Sequence, residues 1–91
     1  MSDDRKTAAP IDFYTFCLSL GSSAFIHLGD VPHPEGGDMP PDLVLAKQTI
    51  DLLGMLQEKT KGNLTAEEAK FLDNLLDDLR LRYVTKVSGR P

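Results

Sequence analysis

Apolar residues recur at steps of three and four along three stretches of the chain, and polar residues fill the positions between them. This spacing places the apolar side chains of each stretch on one face of an α-helix. It predicts three helices, over about residues 12–28, 42–61 and 66–84. The segment between the first two, GDVPHPEGGDMPP, has four prolines and no apolar period, so we expect a proline-rich loop there. The predicted fold class is therefore all-α.

The second and third predicted helices are amphipathic, with one side for a core and one side for solvent. On the second helix, Lys47, Asp51 and Glu58 share the polar side. The opposite side, which we expect to be buried, consists of Leu43, Leu45, Ala46, Ile50, Leu52, Leu53 and Leu56. The apolar stripe of the third helix consists of Leu72, Leu75, Leu76, Leu79 and Tyr83.

Residues with known capping preferences flank the predicted helices. Asp12 is suited to the N-cap of the first helix, and Gly29 can take the left-handed conformation that ends it. The second helix opens at Pro41 or Asp42, and Gly62 can end it in the same left-handed conformation. The expected helix boundaries therefore follow from the sequence at both ends.

The stretch KTKGNLTAEE, between the second and third helices, contains the residue types of a phosphate-binding loop. Such a loop follows a strand and has its glycine before its lysine, and neither condition holds here. Thr65 followed three residues later by Glu68 is instead a capping box. Lys59 and Lys61 suit the end of a helix, because cations there oppose the partial negative charge of the last carbonyls. The stretch is predicted to end one helix and start another.

The first predicted helix carries no charged residue between Phe13 and His27. Two amphipathic helices do not easily cover such a helix on every side, so we expect a second copy of the chain to cover the rest. We therefore expect a packed or intertwined homo-oligomer, most simply a dimer. The small residues Gly21, Ser22 and Ala24 allow another helix to approach closely. The residues expected in this oligomer interface are Phe13, Phe16, Cys17, Leu20, Gly21, Ala24 and Leu28.

A membrane segment is the alternative explanation of the uncharged first helix. The uncharged run spans roughly 24 Å at about 1.5 Å per residue, which is short of a hydrocarbon core of about 30 Å. It also contains a glycine, a threonine and several serines. The lysine- and arginine-rich face of helices that lie on membranes is missing. We therefore expect no membrane span.

Length and charge restrict the classes of function. A chain of 91 residues fits one domain with a small core, for which oligomerisation is a common remedy. A formal net charge of -4 argues against binding to nucleic acid or anionic membranes. One cysteine cannot form an internal disulfide and no signal peptide opens the chain, so a cytoplasmic protein is expected. We expect residues 1–10 to be a disordered lead-in, residues 11–85 one helical domain, and residues 86–91 a flexible tail.

Side chains that could bind a metal gather around the proline-rich loop. They are His27, Asp30, His33, Glu35 and Asp38. Neither a His pair four residues apart nor a CxxC spacing supports a zinc-type site. The serines of GSSA lie inside a helix, without the strand-to-helix turn of a nucleophile elbow. We predict no catalytic, cofactor-binding or metal-ligating residue and no cofactor. An enzyme or metal-binding protein that uses residues 30–38 is the alternative function.

Cys17 and Gly54 lie inside predicted helices, and a structural role explains the presence of each. Cys17 lies on the apolar face of the first helix with no cationic neighbour to lower its pKa, so we expect a small buried hydrophobe. Gly54 lies inside the second helix, where glycine costs about 1 kcal/mol relative to alanine. A close contact with another helix would explain its presence.

The best candidates for binding an unidentified protein partner lie near the end of the third helix. Leu81 falls on the polar side of this helix, between Arg80 and Arg82. The alternative is a lone surface leucine flanked by arginines that complement the helix dipole.

Three stretches of the chain, FYTFCLSLGSSAFIHLGD, LAKQTIDLLGMLQEKTKGNLT and LLDDLRLRYV, resemble a small bacterial family classed as a domain of unknown function. The resemblance extends from Ile11 to Val84. It implies a short bacterial helical protein and brings no catalytic residues. One relative is associated with adaptor work beside a response-regulator-like scaffold and a Ras-like GTPase in a bacterial polarity system. The resemblance therefore implies a homo-oligomeric adaptor or interaction protein in bacterial signalling.

Overall fold

The computed structural model describes residues 11–31 and 40–89, which form three α-helices. Along the chain, α1 spans Phe13–Leu28, α2 spans Leu43–Lys59 and α3 spans Ala66–Ser88. Each helix packs against both of the others. The described residues contain no strand, and the all-α prediction is confirmed.

The first two helices begin where capping aspartates provide a hydrogen-bond acceptor. Thr15 N donates to Asp12 Oδ1 over 2.8 Å, and Leu45 N donates to Asp42 Oδ1 over 3.1 Å. Asp42, and not the preceding proline, is therefore the N-cap of α2. Each cap satisfies one of the amide groups that has no partner within the first turn.

The third helix begins with the capping box that the sequence predicts. Glu68 N donates to Thr65 Oγ1 over 3.1 Å, and Thr65 N donates to Glu68 Oε1 over 2.9 Å. At its other end the helix continues to Ser88, beyond the predicted end near residue 84. Gly89 ends it with φ 72°, the left-handed conformation that favours glycine. Residues 86–88 are therefore helical and not part of a tail.

The second helix is shorter than predicted and ends at Lys59. The Thr60 hydroxyl donates to the Leu56 carbonyl over 2.8 Å, which satisfies a carbonyl of the last turn. Gly62 has φ 86°, but in the turn that follows the helix and not at its cap. The glycine was correctly predicted to be left-handed, and only its place relative to the helix end differs.

The core consists of side chains from all three helices. Its buried members are Cys17, Ala24, Leu28, Ala46, Ile50, Leu53, Leu72, Leu76 and Leu79. Burial raises the pKa of the Cys17 thiol, with a smaller contribution from Glu68, so this cysteine is the buried hydrophobe that the sequence predicts. The Leu75 methyl groups lie 3.2 and 3.3 Å from where a Cβ on Gly21 would stand, so α1 and α3 approach closely at this glycine.

The two ends of the segment between α1 and α2 meet. Asp42 N donates to the His27 carbonyl over 2.7 Å, and Gly29, with φ 83°, packs against Pro41. The central part of the predicted proline-rich loop, residues 32–39, lies outside the described residues, as does the predicted lead-in. Within the described parts of the chain, no helix is long and apolar enough to cross a membrane.

Candidate functional site

The predicted oligomer interface divides between the core and the surface. Cys17, Gly21, Ala24 and Leu28 are buried within the single chain, so they have no surface left for a second copy. Their burial arises because α2 and α3 together cover one full side of α1. The predicted interface residues that keep accessible surface are Phe13, Phe16 and Leu20.

The exposed aromatic ring of α1 lies on the side away from α3. Tyr14 packs edge-on against Phe71 of α3, with ring centroids 5.2 Å apart, and Gly21 approaches Leu75 of the same helix. At about 100° per residue, Phe16 lies on the opposite flank of α1 from both contacts. It is 45% exposed.

Four apolar side chains of α2 are exposed, spread over about 100° of its outer side. Val44, Leu45, Leu52 and Met55 expose between 41% and 69% of their surface. The prediction that Leu45 and Leu52 are buried is therefore wrong. Both lie about 160–180° around α2 from Gly54, the position that approaches Arg80 of α3, and so are on the side of α2 away from that contact.

The accessible apolar residues of α1 and α2 form one candidate surface, carried by two helices that pack directly against each other. We call it the α1–α2 face, and it consists of Phe13, Phe16, Leu20, Val44, Leu45, Leu52 and Met55. Gln48 and Lys59 are polar residues on the same outer side of α2. A contiguous apolar patch on a small domain is typical of a protein–protein contact. The sequence pattern alone did not separate this surface from the core.

The predicted partner-binding residues of α3 do not act together. Leu81 is 66% exposed and points to solvent. The Arg82 guanidinium donates to Asp30 over 3.0 Å and to Asp78 over 3.1 Å, and lies 5.0 Å from the Phe25 ring centroid. It therefore holds α3 against the end of α1 and is not offered to a partner.

Arg80 also lies against the chain itself. Its Nη2 atom is 3.1 Å from where a Cβ on Gly54 would stand, so the guanidinium passes over the α2 backbone. This is the close contact that the helical glycine predicted, made by a side chain. Of the three candidates, only Leu81 keeps a largely solvent-exposed apolar side chain.

Asp30 is the residue whose role the sequence analysis missed. Its carboxylate accepts from Lys86 Nζ over 2.9 Å and from Arg82 over 3.0 Å, and its side chain is only 17% exposed. The hydrogen bonds from Lys86 and Arg82 hold the pKa of this carboxyl below its usual range. Asp78 precedes Arg82 by four residues, which is a local signal for that ion pair, but the contact across 52 positions to Asp30 has no local signal.

No metal centre is assembled in the described residues, where no group of three His, Cys, Asp or Glu side chains is placed to hold an ion. Asp30, a member of the alternative metal loop, is engaged by two cations. His33, Glu35 and Asp38 lie outside the described residues.

A cleft of about 520 Å³ opens beside the turn between α2 and α3. Its walls are Gln57, Glu58, Lys61, Gly62, Leu64, Ala69, Lys70 and Asp73. The charged members are exposed and of both signs, and the cleft contains no paired nucleophile and base. It therefore provides no arrangement for catalysis.

Three mutually packed helices with one exposed apolar face place the chain in the class of small helical domains. The chain belongs to the family described as DUF1844, a domain of unknown function, whose model matches residues 10–85. The match includes α1, α2 and all but the end of α3. No curated protein and no solved structure matches the chain.

Proposed function

We propose that this protein is a non-catalytic interaction module that forms a homodimer through the α1–α2 face. The observation that carries the proposal is the exposure of Phe16, Leu45 and Leu52 on two helices that pack against each other. Large apolar side chains grouped in this way gain free energy when another surface covers them.

A second copy of the chain is the occupant that the α1–α2 face supports best. A two-fold dimer needs a patch that complements itself. A pair of adjacent helices with apolar outer sides meets this requirement by packing on the same pair of a second copy, as in a four-helix bundle. The small core of the single chain adds a reason, because small domains commonly gain stability by oligomerisation.

The expected dimer is weak enough to depend on concentration. Full burial of a Leu, Phe or Met side chain gains about 1.5–3 kcal/mol. The exposed members of the α1–α2 face already have about half of their surface buried, which leaves about 1 kcal/mol each, or about 10 kcal/mol for two copies. Association costs about 4–15 kcal/mol. With a cost at the lower end of this range the net gain is about 6 kcal/mol, which corresponds to a dissociation constant of tens of micromolar.

The finer assignment, an adaptor in the cytoplasm of a bacterium, within a signalling or small-GTPase polarity system, is part of the same proposal. It is supported by the family resemblance and not by the geometry. The alternative metal or enzyme function of residues 30–38 gains no support from Asp30, because its carboxylate is held by Lys86 and Arg82.

Sedimentation of two double variants tests the homodimer. Phe16→Ser with Leu52→Ser removes apolar surface from the α1–α2 face and should shift the dimer towards monomer by at least about tenfold in dissociation constant. The matched control, Leu81→Ser with Val84→Ser, changes two exposed apolar residues of α3 and should sediment like the wild type. Circular dichroism checks that both remain helical. A wild type that is monomeric at high micromolar concentration would overturn the homodimer.

A further inference from the structure

A line of four residues follows the outer side of α3 from its acidic half to its apolar end. We call it the α3 stripe, and it consists of Asp73, Asp77, Leu81 and Val84. Their spacing of three and four places them on one side of the helix. Leu81 is 66% exposed and Val84 is 60% exposed.

Leu81 and Val84 of the α3 stripe are exposed, and Asp73 lies at the wall of the cleft beside the turn between α2 and α3. The side chains that join α3 to α1 are Phe71 and Leu75, and Arg80 approaches α2. The core residues of α3, such as Leu76, lie between these two contact sides. At about 100° per residue, Leu81 lies nearly opposite this core, whereas Asp73 lies only about 20° around α3 from Arg80, on the flank towards α2. Its surface is not part of the α1–α2 face.

The carboxylates of the α3 stripe carry negative charge that the chain does not compensate at short range. In the described ranges, no lysine or arginine nitrogen lies within 4.0 Å of Asp73 or Asp77. Two other aspartates show the contrast, since Asp51 pairs with Lys47 and Asp78 pairs with Arg82. Asp73 and Asp77 are also one helical turn apart, so they repel each other.

From this arrangement we propose that the α3 stripe binds an amphipathic helix of a different protein. That helix carries lysines or arginines opposite Asp73 and Asp77 and apolar side chains opposite Leu81 and Val84. The α3 stripe is then a second interaction surface of the chain, separate from the α1–α2 face of the proposed homodimer. The cations of that helix neutralise the two carboxylates, and its apolar side chains cover the exposed leucine and valine.

The charge pattern disfavours the other two occupants of this surface. If two copies of α3 met in antiparallel order, Asp77 of one would face Leu81 of the other and lose hydration without gaining a cation. In parallel order, the aspartates would face each other and repel. An anionic membrane would be repelled by the same carboxylates.

Fluorescence anisotropy with a labelled synthetic peptide tests the proposal. The probe is a helical peptide of about four turns, with two lysines and two leucines on one line in the order that matches the stripe. We expect saturable binding that Asp73→Asn with Asp77→Asn weakens by roughly fivefold or more. Leu81→Ser should weaken it by about tenfold. A peptide with glutamates in place of the lysines should not bind.

The matched control separates site binding from general attraction to an acidic protein. Asp51→Asn with Glu67→Gln removes the same number of charges from exposed positions outside the stripe and outside the cleft, and should leave the dissociation constant within about twofold of the wild type. Equal weakening by the two double variants, or no saturable binding, would overturn the proposal. So would a change in sedimentation caused by the α3 variants, which would indicate a second copy on the stripe. Phe16→Ser should leave peptide binding unchanged, which keeps this test separate from that of the homodimer.

Discussion

Among the described residues, three glycines have positive φ, but their surroundings differ. A Cβ on Gly29 would stand 2.8 Å from Pro41 Cγ, whereas a Cβ on Gly62 would have no neighbour within 4 Å. At both positions the left-handed backbone conformation alone disfavours any residue with a side chain. Only at Gly29 is there also too little space for a side chain, because Pro41 packs against the end of α1 at this point.

Substituting these two glycines separates the backbone cost from the packing cost. Gly62→Ala should lower the free energy of unfolding by about 1–2 kcal/mol, the cost of a left-handed conformation for an L-residue. Gly29→Ala should lower it by about 1 kcal/mol or more beyond that, because Pro41 must also move. Denaturant unfolding of both variants measures the difference. Equal losses would show that the contact with Pro41 is unimportant.

Within the helices, two glycines meet different kinds of neighbour. Gly21 of α1 faces the branched end of Leu75, which is partly buried, whereas Gly54 of α2 faces the tip of the Arg80 side chain. An arginine tip can move aside at little cost, but a packed leucine cannot. The same residue type therefore has opposite consequences on two helices.

Gly54→Ala should raise stability by up to about 1 kcal/mol, because alanine favours helix and Arg80 can shift. Gly21→Leu should lower stability by about 1–3 kcal/mol despite its better helix propensity, since it overpacks the contact with Leu75. Thermal melts of both variants check the two signs. The loss at Gly21 should appear in the monomer as well as in the dimer, because the contact lies within one chain. A stabilised Gly21→Leu would contradict the close packing of α1 on α3.

The three helices and their starts could be predicted because they depend on local signals, namely apolar spacing and capping residues such as Asp12 and Thr65. The exposure of Leu45 and Leu52 could not, since helical periodicity gives the apolar width of α2 but not how much of that width its neighbours cover. The ion pair between Arg82 and Asp30 could not be predicted either, because it joins residues 52 positions apart. The part of the candidate surface that sequence did predict, around Phe16, came from the absence of charge on α1.

Across the whole molecule, acid stability depends on carboxylates that the fold keeps ionised. The pKa of Asp30 is lowered by Lys86 and Arg82, and the pKa of Asp12 is lowered mainly by the hydrogen bond from the Thr15 amide. The unfolded chain therefore binds more protons than the folded chain at low pH. The stability that these groups contribute is complete above the unfolded carboxyl pKa, near pH 4, and is lost as the pH falls through their lower folded values.

Replacing Asp30 should reduce this acid dependence. Asp30→Asn should cost roughly 1 kcal/mol at neutral pH, as expected for exposed ion pairs, and should unfold with a shallower loss of stability below about pH 4. Lys86→Met should reduce the dependence in part, because Arg82 remains. Urea unfolding at a series of pH values measures the slopes. Identical slopes for wild type and Asp30→Asn would contradict the contribution of this carboxylate.

The meeting of the two ends of the α1–α2 connection has a practical consequence for engineering. Because Asp42 bonds to His27 and Pro41 packs on Gly29, the helices are held in place on both sides of residues 32–39 without those residues. We therefore expect a fluorescent domain inserted between Gly36 and Gly37 to leave this anchoring contact intact, which would provide a reporter of the protein's location in living cells.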